Sequence, residues 1–186
     1  MDLFCRSWRL VILDRDGVIN EDSDTYVKSV EEWLPIGGSL EAMARLYHGG
    51  FRIAVASNQS GLARGLFTID DLNAMHRRMY RELALLSAQV EAIFFCPHSP
   101  DANCDCRKPR PGLLCEIGAR FQVDLTGVPC IGDSYRDLFA ARSVGARPIL
   151  VRTGKGERTL RDHGHELGGV PVFADLAAAA DALLGG

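Results

Sequence analysis

The chain has 186 residues, of which 47% are apolar and 24% charged, and its 21 Lys and Arg against 24 Asp and Glu give a formal net charge of −3. That length and composition fit one folded domain of residues 1–186 with a buried core, and exclude a disordered or fibrous chain. The slight acidic excess excludes the broad basic field of a nucleic-acid or anionic-membrane binder.

No apolar run approaches the roughly 20 residues that a bilayer span needs, and the opening "MDLFCRSWRLVILD" lacks the apolar centre of a signal peptide. The expectation is a cytoplasmic protein whose thiols stay reduced. Cys5, Cys115 and Cys130 sit in apolar surroundings and are expected to be small buried hydrophobes.

In chain order, short apolar runs alternate with segments of helical periodicity. "LVIL" (10–13), "RIAVAS" (52–57), "AIFFC" (92–96), "VPCIG" (128–132), "PILVR" (148–152) and "VPVF" (170–173) predict buried strands. A crossover helix over "GSLEAMARLYHGG" follows the first. A longer one over "TIDDLNAMHRRMYRELALLSAQ" follows the second, opened by Thr68 and two Asp as an N-cap signature. "PGLLCEIGARF", "SYRDLFAARSVG" and "DLAAAADALL" supply three more. Strands apolar on both faces, alternating with helices, predict a doubly wound, Rossmann-like parallel sheet. The interval between the first two strands is mostly consumed by its crossover helix, which leaves no room for a large cap.

In such a fold ligands bind beyond the carboxyl ends of the strands. Four consecutive strand ends carry the polar chemistry: Asp14, Asp16, Gly17 and Asn20; then Ser57, Asn58, Gln59, Ser60 and Gly61; then a Cys/His stretch leading to Arg107 and Lys108; then Gly132, Asp133, Ser134 and Asp137. Asp14, Asp16 and Asp133 offer hard oxygen ligands suited to Mg²⁺. The Ser57 hydroxyl and Lys108 ammonium suit phosphoryl oxygens, with Asn58, Gln59, Ser60 and Ser134 expected at the substrate. A carboxylate beside a metal-bound phosphate is a competent nucleophile, and a second acid two residues on can move the leaving-group and water protons.

"CPHSPDANCDCRKP" arrays Cys96, His98, Cys104 and Cys106 as C-x-H-x5-C-x-C. Three thiolates and an imidazole form a closed tetrahedral set for structural Zn²⁺ in a loop over 96–106. Such a centre would position Arg107 and Lys108 over the phosphate.

With "DRDGVIN", "SNQSG", the Lys of "CRKPRPG" and "GDSYRD" over residues 14–137, the sequence resembles the haloacid dehalogenase superfamily of phosphatases. The resemblance implies Asp14 as nucleophile, Asp16 as general acid and base, and Ser57 and Lys108 as phosphoryl stabilisers. It implies Mg²⁺ held by Asp14, the backbone carbonyl of Asp16, and Asp133. Within the superfamily the zinc loop and "CRKP" are similar to two groups, the heptose 1,7-bisphosphate 7-phosphatases and the histidinol-phosphate phosphatases. "SNQSGLARGLF" and "LVRTGKG" look like the first, which implies removal of the C7 phosphate of a heptose bisphosphate on a route to nucleotide-activated heptose. A sugar bisphosphate needs a second anion site, for which Arg107 and Arg64 are the candidates; Asp22 and Tyr26 are candidates for the sugar hydroxyls. A monomer or weak dimer is expected, with a small-molecule substrate and neither nucleic acid nor membrane as partner.

Overall fold

The computed structural model describes residues 9–185. Six parallel strands, β1 (Arg9–Leu13), β2 (Phe51–Asn58), β3 (Ala92–Cys96), β4 (Pro129–Gly132), β5 (Arg147–Val151) and β6 (Val172–Phe173), lie in the order β3-β2-β1-β4-β5-β6. The helices are α1 (Ser39–His48), α2 (Ile69–Leu85), α3 (Gly112–Phe121), α4 (Tyr135–Ser143), α5 (Gly156–His163) and α6 (Leu176–Leu184).

The central strand shows why both faces are covered. Leu10, Val11, Ile12 and Leu13 are all buried, yet consecutive strand residues point to opposite faces. Val11 and Leu13 join a core with residues of α1, α2 and α6, whereas Leu10 and Ile12 join one with α3 and α4. The chain winds outward from β1 through β2 to β3, then returns to place β4 on the other side of β1. The strand order therefore reverses at β1 and β4, where a crevice opens beyond their carboxyl ends. There the β1–β4 ladder continues past Leu13, with Asp14 N–H donating to Ile131 O at 2.9 Å.

α2 starts where the sequence places it. Thr68 accepts from Asp71 N–H while the Asp71 carboxylate accepts from Thr68 N–H, a closed capping box. It ends at Leu85, earlier than its apolar pattern suggests, and Ser87 then turns with a φ of 54°.

Three expectations need correction. α1 occupies only ten residues of its crossover. Residues 17–38 form a loop instead, fixed by the burial of Val18, Ile19, Val27 and Trp33 rather than by a helical stripe. α5 was not expected, because "GERTLRDH" buries only Gly156 and Thr159 and has no apolar face to betray it. Cys115 is exposed: the buried stripe of α3 runs through Leu113, Leu114, Ile117 and Phe121, and residue 115 falls outside it. Cys130 is buried as expected, and Cys5 lies outside the described residues. Among the described residues no helix is long and apolar enough to cross a membrane.

Candidate active site

The carboxyl ends of β1, β2 and β4, with the loops after β3 and β5, enclose a polar cavity of about 220 Å³. Asp14, Asp16, Ser57, Lys108 and Asp133 all line it. The parallel register explains the convergence, since Leu13 lies beside Val55 on one side and Ile131 on the other. The next residues of each strand then emerge together.

Lys108 is buried, and its Nζ donates to Ala56 O at 2.6 Å while lying 2.6 Å from Asp137 Oδ1 and 3.1 Å from Asp14 Oδ1. Burial opposes its charge, but Asp137 and Asp14 more than compensate and raise its pKa. Asp137 is held ionised by the same contact against the effect of burial. The other two carboxylates are compensated only in part, Asp14 by the ammonium it shares with Asp137 and Asp133 by the N–H and charge of Lys155. Burial and the charge of Asp137 push Asp14 up to about 7 despite Lys108. Burial, Asp137 and Asp14 push Asp133 up to about 8.

One ammonium thus faces three carboxylates, Asp133 and Asp137 buried and Asp14 partly so, whose ligand oxygens lie within 4.8 Å of one another. That excess of negative charge fits a divalent cation. Asp137 is already engaged by Lys108 and caps α4 through Ser134 N–H and Oγ, which leaves Asp14 and Asp133 for the ion. Asp133 is closely framed. Lys155 N–H donates to its Oδ2 at 2.7 Å, and a Cβ added at Gly17 or Gly154 would overlap that oxygen.

Asp16 has a different environment. Its carboxylate accepts from Arg15 Nε and Nη2 at 3.1 and 2.9 Å, from Asn20 Nδ2 at 2.8 Å and from Gln59 Nε2 at 2.8 Å. Burial alone would raise its pKa, but the Arg15 guanidinium and these hydrogen bonds lower it. Gln59 also donates to Ser57 Oγ at 2.7 Å. In this arrangement Asp16 is an ionised acceptor, and delivering a proton requires it to leave Arg15.

The candidate substrate residues divide into two sets. Asp22, Tyr26, Ser60 and Arg107 line the cavity, with Asp22 paired to Lys155 Nζ. Asn58, Gln59 and Ser134 line it too, but their side chains hold the protein together. Asn58 donates to Lys108 O and accepts from Lys108 N–H, both at 3.0 Å. Gln59 serves Asp16 and Ser57, and Ser134 serves Asp137. Arg64 does not line the cavity; its guanidinium lies over the Tyr26 ring, 5.9 Å from the centroid.

The cavity wall also includes Arg136 and Lys155, which the sequence reading missed. Lys155 follows β5, so extending the strand-end rule to a fifth strand finds it. Arg136 is the second residue of α4, and a cation in a helix's first turn opposes the helix dipole. That mismatch was the available signal.

Beyond β3, Cys96, His98, Cys104 and Cys106 each present one ligand atom to a common centre. Five of the six separations among the sulfurs and Nδ1 are 3.3 to 3.6 Å. A tetrahedron with Zn–S bonds of about 2.3 Å has edges of about 3.8 Å, so the set fits zinc closely. Burial and the neighbouring sulfurs push Cys106 up to about 12, a cost that a central divalent cation removes by stabilising thiolates. The cluster is tied to the catalytic cavity by Gln59 N–H donating to Cys96 O at 2.7 Å and by Arg107 Nη1 donating to His98 O at 3.4 Å.

Comparison with known proteins gives the same grouping. The HAD-hydrolase-like family model matches residues 105–179. The chain is 53% identical to the D-glycero-beta-D-manno-heptose-1,7-bisphosphate 7-phosphatase of Bordetella bronchiseptica, covering 95% of this chain and 98% of that one. It is 54% identical to the enzyme of that name from Pseudomonas aeruginosa, covering 94% and 97%. The crystal structure of the B. bronchiseptica D,D-heptose 1,7-bisphosphate phosphatase, complexed with magnesium and phosphate, superposes with a TM-score of 0.93 over 95% of this chain and 98% of that one. The corresponding Burkholderia thailandensis structure, 42% identical, gives 0.72 over 96% and 99%. With half its residues shared along nearly the whole length and the same architecture, the chain belongs to the D-glycero-β-D-manno-heptose-1,7-bisphosphate 7-phosphatase family of HAD-like hydrolases.

Proposed function

We propose that this protein hydrolyses the C7 phosphate of D-glycero-β-D-manno-heptose 1,7-bisphosphate, releasing heptose 1-phosphate and inorganic phosphate, in the cytoplasm and on the route to nucleotide-activated heptose. The observation that carries this reading is the meeting of Asp14, Lys108 and Asp133 at the β1–β4 reversal point. The relatives' names supply the substrate.

Mg²⁺ bound by Asp14, Asp133 and the backbone carbonyl of Asp16 would neutralise the carboxylates and the phosphoryl oxygens. The residues of the chain do the rest. Ser57 Oγ and Lys108 Nζ hold phosphoryl oxygens, and Lys108 also restrains the Asp14 carboxylate 3.1 Å away. Asp14 attacks phosphorus, the bond to the C7 oxygen breaks, and that oxygen takes its proton from Asp16. For this step Asp16, ionised beside Arg15, turns away from the guanidinium, takes up a proton from solvent and carries it to the leaving oxygen. It then takes a proton from water, whose oxygen attacks the phosphoaspartate and regenerates Asp14.

Zn²⁺ held by Cys96, His98, Cys104 and Cys106 would fix the loop that ends at Arg107 and Lys108, and Arg107, which lines the cavity, would bind the phosphate at C1 with a bidentate fork. Asp22 and Tyr26 border the volume left for the sugar.

Identification of the product by phosphorus NMR tests the proposal. The expected result is one equivalent of phosphate with the C1 phosphate retained, and no turnover by a folded Asp14→Asn variant. A heptose 7-phosphate product, or substantial turnover by the variant, would contradict it.

A further inference from the structure

Charge pairing around the cavity leaves two cations over. Lys108 is engaged by Asp14 and Asp137, Lys155 by Asp22, and Arg15 behind the wall by Asp16. Arg107 and Arg136 also line the cavity, and among the described residues neither has a carboxylate partner. The two guanidinium groups bear on each other: after burial, the charge of Arg136 is the largest influence depressing the pKa of Arg107. Lys155 also feels the charge of Arg136.

Two unpaired cations held within mutual influence are unfavourable unless an anion comes between them. Arg136 adds a second unfavourable feature by sitting in the first turn of α4. It also lines both cavities that adjoin the catalytic one, one shared with Arg107 and Lys108 and one with Lys155. It therefore stands on the wall between them, at the edge of the catalytic space. The cavity is polar in its arrangement. Asp14, which shares the single Lys108 ammonium with Asp137, and Asp133, which has no ion pair among the described residues, mark the cation end, and the guanidinium groups of Arg107 and Arg136, without carboxylate partners, mark an anion end.

We propose that Arg136 is a specificity-determining residue that, together with Arg107, binds the second phosphate of a sugar bisphosphate while the first lies at Asp14. This rests on the bisphosphatase reading above. Each guanidinium presents a planar fork matched to phosphate oxygens. The subsite is built from two elements, the loop after β3 and the start of α4. Arg136 is exposed, so its truncation leaves the core intact.

Arg136→Ala and Arg136→Lys, assayed on heptose 1,7-bisphosphate and on heptose 7-phosphate, test the assignment. These substrates share a leaving group and differ only in the second phosphate. With Arg136→Ala, KM for the bisphosphate is expected to rise tenfold or more with kcat within twofold, while both constants for the 7-phosphate stay within twofold. Arg136→Lys should recover part of the loss. A bisphosphate KM that does not move, or an equal change on both substrates, overturns the role of Arg136 alone. If the unmodified protein shows no preference for the bisphosphate over the 7-phosphate, the bisphosphatase reading falls and this inference with it.

Discussion

Asp137→Asn perturbs the site without changing its shape. In the native arrangement Lys108 Nζ lies 2.6 Å from Asp137 Oδ1, and both side chains are about 4% exposed. Removing one partner of a buried ion pair costs about 3–5 kcal/mol, because the other charge is left buried. Two compensations place this case near the lower limit. Lys108 keeps Asp14 at 3.1 Å. Asp14 itself, pushed up to about 7 by burial and by Asp137, ionises more completely once Asp137 is neutral. The Asn carbonyl can still cap Ser134.

The expected loss is therefore about 3 kcal/mol at pH 7, or roughly 6–12 °C in Tm for a chain of this size. Because the folded-state pKa of Asp137 is depressed, its contribution is present above the unfolded carboxylate pKa and is lost as pH falls through the folded value. The difference between the proteins should shrink accordingly in acid. Urea unfolding at pH 7 measures the loss, and Lys108→Met in both backgrounds measures the coupling. The double variant should lose far less than the sum of the two single losses. A loss below about 1 kcal/mol for Asp137→Asn, with additive single effects, would refute the ion-pair account.

Other parts of the structure give separate tests. His76 is buried, with its Nε2 unpartnered, and burial and Arg15 lower its pKa from 6.5 to about 4. The unfolded state then binds more protons between those values, so stability falls as pH drops; His76→Gln should lessen the loss between pH 7 and pH 5 by about 2 kcal/mol in urea titrations. An undiminished pH dependence would show that His76 does not contribute. Gly154→Ala would drive a Cβ into Asp133 Oδ2 at a φ of 55°, and should raise the Mg²⁺ concentration for half-maximal activity at least tenfold. Gly65→Ala, at a φ of 66° with nothing within 4 Å, should leave it unchanged; similar responses from the two would remove the framing of Asp133 as the cause. Stripping zinc and then restoring Mg²⁺ should lower activity and open residues 97–107 to proteolysis. Activity and protease resistance that both survive would separate the cluster from the phosphate site.

Much of this was legible in the sequence because the signals were local. Continuously apolar runs such as "LVIL" cannot be amphipathic strands, so they had to be covered on both faces, and strand ends then located Asp14, Ser57, Lys108 and Asp133. The C-x-H-x5-C-x-C array similarly named four donors that lie together in the structure. What escaped depended on pairing. Asn58, Gln59 and Ser134 are the right residue types for phosphate, and only the fold reveals that Lys108, Asp16 and Asp137 occupy their side chains. Arg64 sits in the motif loop but turns over Tyr26. α5 was hidden by its polarity, although Thr159 within it donates to Asp133 O at 2.8 Å.

The most direct test of the central claim compares phosphate release from heptose 1,7-bisphosphate and histidinol phosphate side by side with Mg²⁺. The account predicts a kcat/KM at least a hundredfold higher for the bisphosphate, about 2.7 kcal/mol of transition-state discrimination. An equal or higher value for histidinol phosphate would contradict the bisphosphate assignment while leaving Asp14 as the expected nucleophile.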